Sequence, residues 1–165
     1  MVSDASDRAH DHVIPGDVDG FYRAVEPYIA KMGRVAARLA GPGERDDVVQ
    51  AALLNAWRHR IQFDPSRGLL SAWLMAITAN EARRVSRRLT AIGRSNGTPA
   101  VEPSPDVIDL QQAMKRLARR QRLAVDCFYF AGLSISETAA VMGCAEGTVK
   151  STLADARVQL RSLLR

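Results

Sequence analysis

Apolar residues in this chain recur at three- and four-residue steps, and nowhere do they alternate for more than a few positions. That pattern builds helices and leaves no material for a sheet, so the predicted fold class is all-α. The first run, from about Val18 to Ala40, puts Phe21, Val25, Tyr28, Ile29, Met32, Val35, Ala36 and Leu39 on one face. Pro27 lies inside it and is expected to kink the helix or delay its start. Gly41-Pro42-Gly43 closes the run. Asp46 or Asp47 is expected to cap a second helix reaching about Ile61, with Val48, Val49, Ala52, Leu53, Ala56, Trp57 and Ile61 turned inward. Phe63 to Gly68 reads as a loop. A third helix, from Leu70 to about Leu89, carries Leu70, Trp73, Leu74, Ile77 and Val85 on one side and ends in Arg83-Arg84-Val85-Ser86-Arg87-Arg88. Trp57 and Trp73 sit at helical spacing among Leu and Ile and read as core.

Residues 93–106 hold two glycines and three prolines with no periodicity, the composition of a flexible linker. They divide the 165 residues into helical domains over 17–92 and 107–165, behind a flexible arm over 1–16. Ser104-Pro105 suits the start of the next helix, a serine cap followed by a first-turn proline. A further helix follows from about Arg119 to Ala131. Each half lies near the lower size limit for independent stability.

Several function classes drop out on composition. No stretch approaches the ~20 apolar residues of a membrane span, and Met1 to His12 is too polar for a signal peptide. Two cysteines make no disulfide framework, so a cytoplasmic protein without membrane insertion is expected. No Ser/His/Asp, paired-carboxylate or Cys/His cluster with workable spacing appears, so no enzyme, cofactor or metal site is predicted. His10 and His12 read as solvated. Cys127 is expected to be buried beside Phe128, and Cys144 to be an ordinary turn cysteine.

Charge is more informative. The net charge is +5, and every basic residue except Lys31, Lys115 and Lys150 is arginine. The distribution is uneven. Met1 to Gly20 has five aspartates against Arg8, whereas Arg83 to Arg94 and Lys115 to Arg122 each have five basic residues and no acid. Two such segments suit a polyanion, most simply nucleic acid. Solvated helix faces would look the same.

The most specific stretch runs from Ser134 to Leu163. Ser134-Ile135-Ser136-Glu137 has the spacing of a capping box, a serine with glutamate three residues later. A short helix follows to about Met142, and Gly143-Cys144 makes a turn where glycine takes positive φ without strain. A longer helix then starts near Glu146, with Val149, Leu153, Ala156, Leu160 and Leu163 inward, and Ala139 is small where two helices must cross. This is the outline of a helix-turn-helix, although an ordinary helical hairpin shares it.

Gly132 to Leu163 resembles region 4 of the extracytoplasmic-function (ECF) sigma factors, small relatives of bacterial sigma-70. The matching residues are Gly132-Leu133-Ser134, Gly143-Cys144, Gly147-Thr148-Val149-Lys150-Ser151, Ala156-Arg157 and Leu160-Arg161. Upstream, DDVVQAALLNAW and AWLMAITANEARRVSRR resemble region 2 of the same family, in the same order along the chain. The resemblance covers about residues 18–165.

It implies an alternative sigma factor, which binds core RNA polymerase and directs it to promoter DNA. Region 2 would bind the β′ coiled coil and read the minus-ten element; region 4 would bind the β flap and read the minus-thirty-five element. The β′ contact would fall on Asp47, Gln50 and Asn55, read as the outer face of the second helix. Phe63, Asp64, Ser66 and Arg67 would capture a base flipped from the melted strand. Asn80, Arg83, Arg84, Arg87 and Arg88 would hold the backbone around it. In region 4, Glu146, Thr148, Lys150, Ser151 and Asp155 would face the major groove. Arg119, Arg120 and Arg122 would clamp phosphates. Such factors are usually held inactive by an anti-sigma factor, which is therefore an expected partner.

The match has departures. Thr152 and Asp155 stand where relatives usually carry arginine, which weakens the recognition helix electrostatically. Ala51 replaces a glutamate, Leu53 a phenylalanine, and Ala145 is a poor helix cap. Two alternatives therefore remain beside the sigma-factor reading. One is a sigma-like decoy that binds an anti-sigma factor. The other is a helix-turn-helix regulator with an effector-binding N-terminal half.

Overall fold

The computed structural model describes residues 14–93 and 105–164, and all its regular elements are helical. Most of the expected N-terminal arm, residues 94–104 of the expected linker, and the Ser104 cap lie outside the described residues.

Helix α1 spans Val18–Ala40; its Asp17 cap accepts a hydrogen bond from the Gly20 amide at 2.7 Å. Pro27 neither delays nor interrupts it. The proline lies on the exposed face, where the carbonyl of Arg23, deprived of its amide partner, is open to water. Gly41, at φ 99°, ends the helix, and a 3-10 turn over Pro42–Glu44 leads into α2, Arg45–His59. The start of α2 departs from expectation. No side chain caps it, and Asp46 and Asp47 occupy its first turn instead. The preceding turn already holds Glu44 in helical geometry, and the two carboxylates favour the positive end of the helix dipole.

The far end of α2 also differs. At Arg60 both the backbone N–H and the guanidinium (2.7 Å) take the Trp57 carbonyl, which a continuing α-helix would give to Ile61. A 3-10 turn over Arg60–Gln62 follows, and Ile61 is 88% exposed rather than inward. Helix α3 then runs over Leu70–Ala91. Val25, Met32, Val48, Ala52 and Leu74, all fully buried, form the centre of this three-helix unit. Trp57 and Trp73 are half-buried against it, with Phe21 and Phe63 as ring neighbours at 5.2 and 5.4 Å.

In the second half α4 spans Pro105–Arg116 and α5 spans Arg119–Val125. The expected helix to Ala131 does not continue as α. Residues Asp126–Phe130 widen into a π-turn, with the Ala131 amide donating to the Asp126 carbonyl at 2.8 Å. Contacts from α1 hold both ends of this turn, as described below. Gly132, at φ 70°, redirects the chain.

Helix α6, Ile135–Met142, opens with the predicted capping box. The Glu137 amide donates to Ser134 Oγ at 3.1 Å, and the Ser134 amide donates to Glu137 Oε2 at 2.8 Å. Gly143 ends α6 at φ 63°, and α7 runs over Glu146–Leu163 without a side-chain cap at Ala145. A second core of Met114, Leu117, Val125, Val149, Leu153 and Ala156 joins α4, α5 and α7.

The two halves pack on each other. Cys127, Ala131, Leu133 and Val141 belong to the core of α1–α3, and α6 lies along α3. Three basic residues at helical spacing on α1 reach across. Lys31 Nζ donates to Glu137 Oε1 at 2.8 Å, and Arg34 Nε donates to the Ala131 carbonyl at 2.8 Å. Arg38 Nε reaches Asp126 Oδ1 at 3.0 Å. From α3, Arg83 Nη2 donates to the Val141 carbonyl at 2.5 Å. No helix among the described residues is long and apolar enough to cross a membrane.

Candidate nucleic-acid interface

Burial of Val149, Leu153 and Ala156 fixes the rotation of α7. Their opposite side presents Thr148, Ser151 and Asp155 at i, i+3 and i+7, all exposed. Glu146 and Lys150 form a neighbouring exposed pair four residues apart. The hydroxyls of Ser151 and Thr152 turn back onto the Thr148 carbonyl at 3.0 and 2.7 Å. All five residues predicted for groove reading are thus exposed, Thr148, Ser151 and Asp155 on one side of α7 and Glu146 and Lys150 around the helix from them.

The loop before α3 forms a second surface. Asp64 Oδ1 accepts hydrogen bonds from the Ser66 amide (2.9 Å) and hydroxyl (2.7 Å). These bonds lower the Asp64 pKa below its usual 3.8, so the turn is intact at neutral pH and loosens only as acid protonates the carboxylate. Phe63 packs half-buried on Trp73. With Asp64, Arg67 and Ala76 the two rings line a cleft of about 400 Å³, one wall of which is Ala140 of α6. Ser66 lies exposed at the rim.

Along α3, Asn80, Arg84, Arg87 and Arg88 are exposed, and Arg84 lies 3.8 Å from Glu81. Arg83 is different. It is half-buried, donates to Asn80 Oδ1 at 3.2 Å and is turned into the contact with α6. Burial lowers its pKa; the nearby Cys127 opposes that effect, and Arg119 and Arg87 add to it. Arginine stays charged regardless.

The two basic segments meet in space. Arg83 and Arg87 share a cleft of about 260 Å³ with Arg119 and Arg122. Arg119 and Arg120 are exposed. Arg122, expected as a phosphate clamp, has another task. Its guanidinium donates to the carbonyls of Met114 (2.9 Å), Lys115 (2.7 Å) and Leu117 (3.3 Å), closing the C-terminus of α4.

Asp47 and Gln50 are exposed on α2 as predicted, but Asn55 is not on that face. It is half-buried and donates to Glu81 Oε1 on α3 at 2.9 Å. Eight residues after Asp47, it sits about 80° around the helix, toward α3. The exposed residue in register with Asp47 and Gln50 is Leu54. It joins Val18, Tyr22, Leu53 and Trp57 in an apolar groove of about 710 Å³ between α1 and α2. A second apolar groove, of about 580 Å³, is lined by Leu110, Met114, Tyr129, Phe130, Leu160 and Leu164. Sequence reading missed both grooves. Exposed Leu54 and the Phe128-Tyr129-Phe130 run were the available signals.

Cys127 is 2% exposed, and burial pushes its thiol up to about 12, so it is protonated and inert at neutral pH. No group of three His, Cys, Asp or Glu among the described residues is placed to hold a metal ion.

Fold and surfaces together define an all-helical protein with a C-terminal helix-turn-helix and two basic segments on neighbouring faces. Comparison with known proteins supplies the family. Residues 24–92 match the model of sigma-70 region 2, and residues 108–160 match that of sigma-70 region 4. The chain is 31% identical over 153 residues to the ECF RNA polymerase sigma factor SigL of Mycobacterium tuberculosis, covering 85% of this chain and 86% of that one. It is 33% identical over 152 residues to SigM of the same organism, covering 88% and 76%.

Two solved structures share the fold. RpoE of Bartonella quintana, in a co-crystal with the anti-sigma factor NepR, superposes with a TM-score of 0.64 at 29% identity, over 89% of this chain and 98% of that one. CnrH, in complex with the cytosolic domain of CnrY, gives a TM-score of 0.67 at 24% identity, over 96% and 97%. The chain belongs to the ECF RNA polymerase sigma factors of the sigma-70 family. It is an alternative sigma factor and not an enzyme.

Proposed function

We propose that this sigma factor reads the minus-thirty-five element with the exposed surface of α7 and the minus-ten element with the Phe63–Arg67 loop and basic α3. The observation that carries the first assignment is the phase of α7. Burial of Val149, Leu153 and Ala156 leaves Thr148, Lys150, Ser151 and Asp155 to solvent, on a helix held by a capped partner and a glycine turn. The second assignment is supported by the aromatic-walled cleft beside exposed Asn80, Arg84, Arg87 and Arg88.

Core polymerase would be held at two places. The apolar groove between α1 and α2, rimmed by Asp47 and Gln50, suits the β′ coiled coil. The apolar groove between α4, the π-turn and α7 suits a helix of the β flap. An anti-sigma factor is a proposed partner, since the Bartonella quintana relative was solved with one. The place of action is the cytoplasm, where polymerase works.

The test uses Asp155. It shares a helix face with Thr148 and Ser151, so its negative charge would oppose the DNA phosphates. In reconstituted holoenzyme, Asp155→Arg is expected to strengthen promoter binding about tenfold, near 1.5 kcal/mol, and to steepen the salt dependence by about one unit. A flat response in both would show that this face of α7 does not meet DNA.

A further inference from the structure

Four arginines line one cleft whose only acid is already in use. Arg83 and Arg87 come from α3, and Arg119 and Arg122 from α5, around a volume of about 260 Å³. Ser86, three residues after Arg83 on α3, lines the same cleft. Asp126 is the only acid in the lining, and its Oδ1 takes Arg38 Nε of α1 at 3.0 Å. The remaining cations repel one another. Burial lowers the pKa of Arg83, and Arg119 and Arg87 lower it further.

The four arginines divide by task. Arg83 is tied to the Val141 carbonyl at 2.5 Å and to Asn80 Oδ1 at 3.2 Å. Arg122 is tied to the carbonyls that end α4. Arg87 and Arg119 are exposed and have no acidic partner among the described residues. A guanidinium grips a phosphoryl group through two parallel N–H donors. One unpaired fork on each helix suits two linked phosphoryl groups. Arg83 and Arg122, half-buried and anchored, favour an anion that enters the cleft over a strand that passes across it.

Size and lining narrow the ligand further. The cleft is smaller than the ~300–1,000 Å³ of pockets that enclose a whole organic ligand. Leu39 and Leu123 complete the lining, so no aromatic ring is present on which a base could stack. The cleft can hold a phosphate end and has no means of reading what is attached to it.

We propose that the cleft between α3 and α5 is a binding site for a diphosphate group, either free pyrophosphate or the end of a nucleotide. The site goes beyond the promoter-reading assignments and does not depend on them. Its consequence does: Arg87 and Arg119 are also assigned to promoter phosphates, so a bound diphosphate would withhold both from DNA.

The experiment is calorimetric titration of the full chain with pyrophosphate, orthophosphate and ADP, in magnesium-free buffer at ionic strength matched with sodium chloride. Pyrophosphate is expected to bind with a Kd below about 100 μM and about tenfold or more tighter than orthophosphate. Arg87→Gln and Arg119→Gln are each expected to weaken it about tenfold. Lys115→Gln removes the same charge from the same basic segment but lies outside the cleft, and is expected to leave the Kd within about twofold. Circular dichroism establishes that each variant is folded. ADP binding as tightly as pyrophosphate would identify the nucleotide end as a ligand; binding of pyrophosphate alone would identify the free anion.

Pyrophosphate binding no tighter than orthophosphate would overturn the proposal. So would equal losses in Arg119→Gln and Lys115→Gln, since the anion would then follow overall charge and not the cleft. Saturating pyrophosphate is further expected to weaken binding of a labelled promoter duplex by the free protein. If it binds in the cleft and leaves DNA affinity unchanged, the site stands and the assignment of Arg87 and Arg119 to promoter phosphates fails.

Discussion

Replacing Arg87 and Arg88 together by alanine is expected to weaken promoter binding by the holoenzyme on the order of 100-fold at low salt, or about 3 kcal/mol. Both side chains are exposed on the last turns of α3. Charge-assisted contacts to phosphate hold the strand without reading its sequence, so the loss is expected to be nearly uniform across promoters. Each contact removed also removes a released counterion. The slope of log affinity against log salt is expected to fall by about two units. Titration at four or five salt concentrations measures both quantities. An unchanged slope would mean that these arginines face solvent in the complex and that the basic end of α3 serves another purpose. Fold should be unaffected, because neither guanidinium has a partner within the described N-terminal core.

The largest effect on stability is expected at Leu74. This side chain is fully buried at the centre of the three-helix unit, in the core that also takes in Val141 of α6. Leu74→Ala removes apolar contact and leaves a cavity that rigid neighbouring helices cannot fill. The expected loss is about 3 kcal/mol, with a fall in Tm of roughly 10 °C. Because the core spans both halves, one cooperative transition should shift as a whole. Thermal unfolding followed by circular dichroism tests this. Loss of less than about 1 kcal/mol would show that the site collapses around the smaller side chain, against the packing described.

What the sequence disclosed follows from how far each feature reaches along the chain. The Ser134–Glu137 box and the Gly143 turn are local, each partner lying within four residues, and the inward residues of α7 recur with the helical period. Their geometry is set by backbone rules that a sequence displays directly. Arg122 was misread because its role depends on where α4 ends, five to eight residues away. A basic residue in a basic segment looks like a phosphate ligand until those carbonyls are located. Asn55 was misplaced by helical phase: the stripe of Asp47 and Gln50 continues to Leu54, and Asn55 turns to Glu81.

The contact between halves was the least legible feature. It joins Lys31 to a residue 106 positions away and Arg83 to one 58 away. Lys31, Arg34 and Arg38 do form a stripe at i, i+3 and i+7, but a solvated basic face has the same pattern. The buried Glu137 carboxylate, the Ala131 carbonyl and the Asp126 carboxylate make the stripe an interface. The π-turn at Asp126–Phe130 was hidden for the same reason, because its two ends are held by Arg38 and Arg34 of α1.

The central claim is that this chain selects promoters for polymerase by reading two spaced DNA elements. The most direct test is transcription by purified core polymerase on a pooled promoter library, with and without the protein. The account predicts new start sites that share two upstream elements, one near minus ten and one near minus thirty-five. It further predicts that Lys150→Ala alters preference only at the second. If the protein yields no new start sites although it binds core polymerase, the promoter-reading account is contradicted.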